Sequence, residues 1–370
     1  MDHLIPEYIS ALCTELIILS QSQSERLPVH TVFFGGGTPS LIRSEYVESI
    51  LATINNYYEL LTGSEITIEA NPGSLTQSYL SALVGVGFNR LSLGMQSANT
   101  WELQLLEREH DFGDVIRSVH WARQAGFENI NLDLIFGLPD QEIHSWKTSL
   151  ESAVGLEPEH ISLYSLTLEH GTPLLHWVNK GLVAEPDADI AAEMYEYSMD
   201  RLSQAGYIKY EISNWAKPNQ GSGLLSCSHN LQYLRNQPYL GVGAGAHGFA
   251  GGLRVANVLA PMSYIQRFSR VETNAGWKFP LTPATATSTP VSRDDEIAET
   301  MLMGLRLTQE GVSQEDFSNR FGKLMQDTYA QQIADLLNKG LVEWGGEQGN
   351  KLRLTRQGRL LGNQVFIQFI

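Results

Sequence analysis

Along the first half of the chain, runs rich in β-branched and apolar residues alternate with stretches of helical spacing. The strand-like runs cover residues 31–34, 65–70, 90–94, 129–136 and 160–166, recurring every ~30 residues as βαβ units do. Between them, residues 46–61, 75–84, 115–125, 141–154 and 187–205 place apolar positions at helical intervals. Gly126 and Gly206 stand just past two of these apolar faces, where helices stop. A parallel sheet covered by helices on both sides has strands that are apolar on both faces, but these strands alternate. Ile66, Ile68 and Ala70 share one parity, and Glu65, Thr67 and Glu69 the other. Leu91, Leu93 and Met95 oppose Ser92, Gly94 and Gln96; Ile130, Leu132 and Leu134 oppose Asn131, Asp133 and Ile135. A period of two turns the aliphatic set toward outer helices and the polar set toward an interior that must hold something polar. The expected fold is α/β, a barrel of parallel strands whose carboxylates and amide lie toward the strands' C-terminal ends, where barrels place their chemistry. An antiparallel sheet with one wet face is the alternative, and the helical connections argue against it.

Residues 276–293 change to Thr, Ala, Pro and Ser, with Pro280, Pro283 and Pro290, and read as a linker or loop. Beyond them 295–307, 313–321 and 325–339 look helical, followed by short apolar runs at 341–344 and 352–354 and a last helix from Thr355. Helices followed by a small hairpin suggest a winged-helix-like α+β domain. The expected organisation is therefore a barrel with a following region over 1–275, a linker over 276–293 and a small domain over 294–370. Arg353, Arg356 and Arg359 near the wing read as solvated surface.

With 370 residues and 42% hydrophobic content, the chain can bury one large core and a smaller one. A formal net charge of −16 repels phosphate backbones and anionic lipid, which argues against nucleic acid or a membrane surface as main partner. No run reaches the roughly 18 apolar residues of a spanning helix, and Asp2, Glu7 and Glu15 occupy the opening where an export signal needs basic then apolar residues. A cytoplasmic protein is expected. The two cysteines, Cys13 and Cys227, are not at metal-ligand spacing, so neither a disulfide framework nor a zinc knuckle is indicated.

Candidate chemistry begins where the strand at 31–34 runs into Gly35, Gly36, Gly37, Thr38 and Pro39. Three glycines permit positive φ and close approach of a ligand to the backbone, Thr38 adds a hydroxyl, and Pro39 fixes the exit. A phosphate loop would carry a Lys two or three residues on, and none is present.

This loop, with Glu69 in 68–72, Gln96 in 90–97, Arg108 and His110 in 107–110, and Asp133 in 129–139, resembles in order and spacing a radical S-adenosylmethionine (SAM) family. That family joins oxygen-independent coproporphyrinogen III oxidases with the heme chaperones called HemW, and the resemblance covers nearly the whole chain. It implies a partial (β/α)6 barrel in which the triple-glycine loop receives the amino-acid end of SAM and residues matching Glu69, Gln96, Arg108 and Asp133 line the site. Those roles suit the side chains: Glu69 can accept ribose hydroxyls, Arg108 can pair with a carboxylate, and Gln96 and Asp133 are polar partners in an apolar barrel. A barrel Glu or Asp completing a buried salt bridge, and Gln96 filling a core network, are the alternatives. The family's first strand ends in a Cys-x3-Cys-x2-Cys loop that holds a [4Fe–4S] cluster; this sequence has no such loop. Residues 3–16 resemble the helix that follows it, so Met1 is expected a short way downstream of the cluster segment, with the barrel's first strand missing. A start placed too late in a normal gene and a cluster-less descendant both explain this, and retention of the SAM-lining residues favours the former.

Cys227, Ser228, His229, Asn230, Leu231, Gln232 and Tyr233 resemble the His-Asn-x-x-Tyr-Trp motif that distinguishes the chaperones from the oxidases. The resemblance makes His229 the axial ligand of heme iron, with Leu234 standing where the family has Trp. A surface-loop histidine is the plainer reading of His229; His247 is a second candidate ligand or a core histidine. The compact length also favours the chaperone form. Three functions follow: a heme chaperone that binds heme and SAM and delivers heme to respiratory proteins, an oxidase that decarboxylates coproporphyrinogen III, or a remnant that binds little.

Overall fold

A computed structural model describes residues 2–370 other than 220, 222, 272, 274 and 275. The chain opens with α1 (Ile5–Gln21), followed by β1 (Pro28–Phe34), α2 (Ser44–Tyr57) and β2 (Glu59–Ala70). The alternation continues through α3 (Gln77–Gly85), β3 (Arg90–Gln96), α4 (Thr100–Leu105), α5 (Phe112–Ala125), β4 (Asn129–Phe136), α6 (Ile143–Gly155) and β5 (His160–Ser165). Then come α7 (Pro173–Asn179), α8 (Ala188–Gln204), β6 (Ile208–Lys209) and β7 (Asn214–Ala216).

Seven strands form one curled half-barrel sheet in the order β1-β2-β3-β4-β5-β7-β6. β2 to β5 pair in parallel, while β7 runs antiparallel to β5 and β6 antiparallel to β7. The α/β half-barrel is thus the fold expected from the strand-helix alternation, with the two closing antiparallel strands added. The aliphatic set is wholly buried at Ile68, Leu91, Leu93, Met95, Ile130, Leu132 and Leu134; of the polar set, Thr67, Ser92, Gln96 and Asn131 are buried as well, and Glu69 and Asp133 stay half-buried. Helix ends follow local chemistry. Asp111 and Asp114 form a capping box at the start of α5, and Gly126 ends that helix at φ 105°, which an L side chain rarely adopts. Some boundaries differ from expectation: the helix expected over 325–339 is split into two, and the one expected over 295–307 ends at Gly304. Residues 59–61 belong to β2 and not to the preceding helix, which stops at Tyr57 with Tyr58 buried beside it.

The rest of the chain holds α9 (Ser228–Leu234), β8 (His247–Ala250), β9 (Leu253–Asn257), α10 (Pro261–Phe268) and β10 (Thr285–Pro290). Strands β8, β9 and β10 make a small antiparallel sheet in the order β10-β9-β8. The stretch expected to be linker or loop therefore contains a strand, and the expected boundary at residue 275 lies outside the described residues. The chain ends with α11 (Arg293–Gly304), β11 (Val312–Ser313), α12 (Gln314–Phe321), α13 (Met325–Thr328), α14 (Ala330–Asn338), β12 (Val342–Gly345), β13 (Lys351–Leu354), α15 (Arg356–Leu360) and α16 (Gly362–Phe366). β12 and β13 form the hairpin read from the sequence, and β11 adds to its other edge. Arg353 on this hairpin pairs with Glu343 at 3.0 Å.

By backbone contacts the chain divides into two compact units. One comprises Met1–Phe33, Ile42–Ile66 and Cys227–Ile370; the other comprises Phe34–Leu41 and Thr67–Ser226. Within the first, α1 carries a buried carboxylate, Glu15, that is 1% exposed. It accepts hydrogen bonds from Gly243 N, Asn257 Nδ2, Tyr264 Oη and Thr282 Oγ1 at 2.6–2.9 Å. Burial raises its pKa, and these four donors oppose the rise. No helix among the described residues is long and apolar enough to cross a membrane.

Candidate functional site

The glycine loop follows directly from β1. Gly36 and Gly37 sit at φ 82° and 66°, and a Cβ on either would meet nothing within 4 Å. Glycine is needed here for backbone conformation, and the space beside it is open. The loop's exit is pinned by Ser40, a residue not singled out from sequence. Its hydroxyl lies 3.0 Å from Ser74 Oγ and accepts the N–H of Asn71 at 3.3 Å, tying the loop to the turn after β2. Gly36 N donates to Glu69 Oε2 at 3.2 Å, which joins the glycine loop to the first candidate carboxylate.

Glu69 and Asp133 are both held above their usual pKa range, chiefly by burial. The Gly36 N–H opposes the shift at Glu69 and the charge of Asp133 adds to it. At Asp133 hydrogen bonds from Asn131, Ser92 and Ser162 and the charge of Arg90 act against the rise. Asp133 stands at the end of a directed chain. Ser92 Oγ donates to its Oδ2 at 2.8 Å, and Asn131 Nδ2 donates to its Oδ1 at 2.9 Å and to Ser92 Oγ at 2.7 Å. His160 Nδ1 lies 2.7 Å from Asn131 Oδ1, and its Nε2 lies 2.9 Å from Tyr210 Oη. Every side chain here is hydrogen-bonded, so the carboxylate's orientation is fixed from behind. Asp133 does not complete a salt bridge; its partners are neutral. Parity had put Ser92 and Asn131 on the polar face, while His160 and Tyr210 gave no signal in the sequence.

Gln96 departs from simple alternation. A bulge between Leu93 and Gln96 interrupts the β3-β4 register, and Gln96 takes φ 61°. A Cβ on Gly94 would come within 2.9 Å of Gln96 Nε2, so the amide folds back over Gly94 on the face shared with Ser92. The amide is buried at 8% exposure. Arg108 is exposed, and its guanidinium makes no hydrogen bond or ion pair with the described residues. His110 is buried, with Nε2 3.2 Å from Met95 O and Nδ1 without a partner. The loop 35–38 and Glu69, Gln96, Arg108 and Asp133 all belong to one compact unit.

His229 lies in the other unit, near the start of α9. Glu65 of β2 secures that start by accepting Ser228 N and His229 N at 3.0 Å each, with Cys227 Sγ at 3.5 Å. The imidazole stacks on Phe33 with centroids 5.0 Å apart and meets Tyr233 edge-on at 4.9 Å. Both nitrogens are engaged: Nδ1 with Thr31 Oγ1 at 2.9 Å and Nε2 with Tyr233 Oη at 2.8 Å. Burial lowers its pKa to about 4, with Glu65 opposing and His30 adding to the shift. His229 is therefore a neutral, packed imidazole and not a loose surface residue. Leu234 is buried at 4% exposure, and His247 is exposed, which removes the core-histidine reading of the latter.

A [4Fe–4S] cluster needs converging thiolates. The two cysteines of this sequence do not supply them: Cys13 is on α1 with Sγ 4.0 Å from Ser49 O, and Cys227 packs on Glu65. Among the described residues no group of three His, Cys, Asp or Glu side chains is gathered for a metal. The residues present do not fit the cluster, and no chemistry is derived through it.

Comparison with known proteins identifies the family and the fold. The Radical SAM superfamily model matches residues 14–153, and the HemN C-terminal domain model matches 291–361. Proteins named heme chaperone HemW are 37% identical over 369 residues in Bacillus subtilis (99% of this chain, 92% of that protein) and 35% identical over 366 residues in Lactococcus lactis (99% and 90%). The solved structure of the radical SAM enzyme coproporphyrinogen III oxidase (HemN) from Escherichia coli superposes with a TM-score of 0.80 at 22% identity. That match covers all of this chain and 84% of the other, and it shows the shared fold. The chain belongs to the heme chaperone HemW family, within the radical SAM superfamily.

Proposed function

We propose that this chain is a cytoplasmic heme chaperone that holds heme through His229, binds SAM in the half-barrel and hands heme to respiratory proteins. The observation that carries the reading is the state of His229. Ligation of iron requires a neutral imidazole, and burial keeps this one neutral at physiological pH while Phe33, Thr31 and Glu65 fix its plane and backbone. The name of these relatives, heme chaperone, supports the same reading.

The half-barrel residues suit SAM. The Gly36–Gly37 turn leaves open space beside the backbone for the amino-acid end, and Glu69 accepts hydroxyl donors of a ribose. Arg108 offers an uncommitted guanidinium to a carboxylate, and two buried-side acids, Glu69 and Asp133, make an electronegative interior that favours a sulfonium cation. In this reading SAM supplies bound charge and adenosyl recognition, and the chain's own groups orient it.

The test is a heme titration of the purified protein and of His229→Ala, followed by Soret absorption. A Soret shift in the parent that is lost in the variant supports the reading; identical spectra overturn it.

A further inference from the structure

We propose that Tyr233 closes the iron-binding nitrogen of His229 until heme displaces it, and that Thr31 selects the tautomer that makes Nε2 that nitrogen. This rests on the reading of His229 as the heme ligand and assigns roles to two residues beyond it. With both ring nitrogens hydrogen-bonded, His229 has no free lone pair in the heme-free protein.

Two tautomers satisfy the distances. In one, Nδ1–H donates to Thr31 Oγ1 and the Nε2 lone pair accepts from the Tyr233 hydroxyl. In the other, Nε2–H donates to Tyr233 and Thr31 donates to Nδ1. Hydroxyl chemistry separates them. A phenol is a far better donor than an aliphatic alcohol and a poorer acceptor, because its oxygen lone pair is shared with the ring. The first arrangement therefore wins, with Tyr233 as donor and Thr31 as acceptor. It is also the arrangement that a metal-bound histidine adopts, with the distal N–H held by an outer partner.

The two contacts differ in how easily they open. Thr31 belongs to β1, so the backbone that carries its short, β-branched side chain is held by the sheet. Tyr233 is four residues on from His229 along α9 and half-buried, so a rotation of its side chain uncovers Nε2 without disturbing the helix. The backbone of His229 stays in place because Glu65 holds the N–H groups of both Ser228 and His229. On its other side the Tyr233 ring meets Tyr239 edge-on, with centroids 4.5 Å apart. Tyr233 is thus the movable element and Thr31 the fixed one, and both are positioning residues.

Hemin binding by stopped flow, together with nitrogen NMR of the His229 ring in the heme-free protein, tests the assignment. The heme-free parent should show the Nδ1–H tautomer, Thr31→Val should lose that preference, and Thr31→Ser should keep it. Tyr233→Phe should bind hemin about tenfold faster with the parent's final Soret spectrum, and Thr31→Val should weaken binding about tenfold, with Thr31→Ser restoring it. An Nε2–H tautomer in the parent, or a Tyr233→Phe association rate equal to or below the parent's, overturns the proposal. The ring NMR is read on the folded parent, so misfolding of a variant does not decide the matter. If His229→Ala leaves the hemin spectrum unchanged, it is the underlying ligand reading that fails; if only the Tyr233 and Thr31 variants match the parent, that reading stands and the present proposal falls.

Discussion

Nδ1 of His160 lies 2.7 Å from Oδ1 of Asn131, an oxygen that can only accept, so the His160 ring carries its proton on Nδ1 and takes the Tyr210 hydroxyl on Nε2. Burial holds its pKa well below the ordinary 6.5, and the charge of Arg90 adds to the fall. The consequence for stability has a definite sign. Below pH 6.5 the unfolded chain binds a proton at residue 160 that the folded chain refuses, so this group's contribution is present above pH 6.5 and is lost as pH falls toward the folded value. The slope for one such group approaches about 1.4 kcal/mol per pH unit. Denaturant unfolding of the parent and of His160→Gln between pH 7 and 5 should show the parent losing stability more steeply; parallel curves would contradict the buried, singly protonated state.

Glu15 is the converse case, a buried acid serving four donors from four separate segments. Glu15→Ala strands all four and should cost about 3 kcal/mol or more in urea unfolding. Glu7→Ala, on the exposed side of the same helix, should stay within about 0.5 kcal/mol.

The chain of hydrogen bonds behind Asp133 should matter to ligand binding more than to folding. Ser92→Ala removes one donor to the carboxylate and leaves Asn131 in place. If SAM binds here, the parent's melting midpoint rises with SAM, and Ser92→Ala should weaken SAM binding about tenfold, roughly 1.4 kcal/mol. Calorimetric titration reads this directly, and unchanged affinity in Ser92→Ala would mean that the orientation of Asp133 is irrelevant to the ligand.

Gly94→Ala offers a way to move Gln96 without touching it. The new methyl would sit 2.9 Å from the flexible end of the Gln96 side chain, which must swing away. Stability should fall by about 1 kcal/mol, the ordinary range for a surface-of-core change, while SAM affinity should fall as far as it does in Gln96→Ala. A Gly94→Ala protein with parental SAM affinity would show that the amide's place over Gly94 is unimportant.

Much of the fold is legible in the sequence. Strands and helices fell where period and breakers put them, and the opposition of Ile68 to Glu69 and of Leu132 to Asp133 appears in their burial. What escaped was set by partners distant in the chain. Thr31 and His229 are 198 residues apart, and nothing local announces that one caps the other's ring. Glu65 shows its parity in the sequence but not that it holds α9. The bulge at Gln96 is a register event between two strands, invisible in one of them alone. The run past Tyr57 was ambiguous for a simpler reason: Leu60 and Leu61 suit a helix and a strand alike, and β2 claimed them.

The order in which the chain is made gives the Glu15 cluster another meaning. Helix α1 leaves the ribosome well before its partners, since the donors to Glu15 are encoded 228, 242, 249 and 267 residues later. At about 5–20 residues per second, Thr282 follows Glu15 by roughly 13–50 s. For that interval the nascent helix presents Ile9, Leu16, Ile18 and Leu19, all buried in the finished protein, to whatever surrounds it. Its neighbour α2 arrives early and can cover part of that surface, but the carboxylate among those side chains keeps its water until the far end of the chain arrives. Helix α1 is thus synthesised long before the groups that lock it.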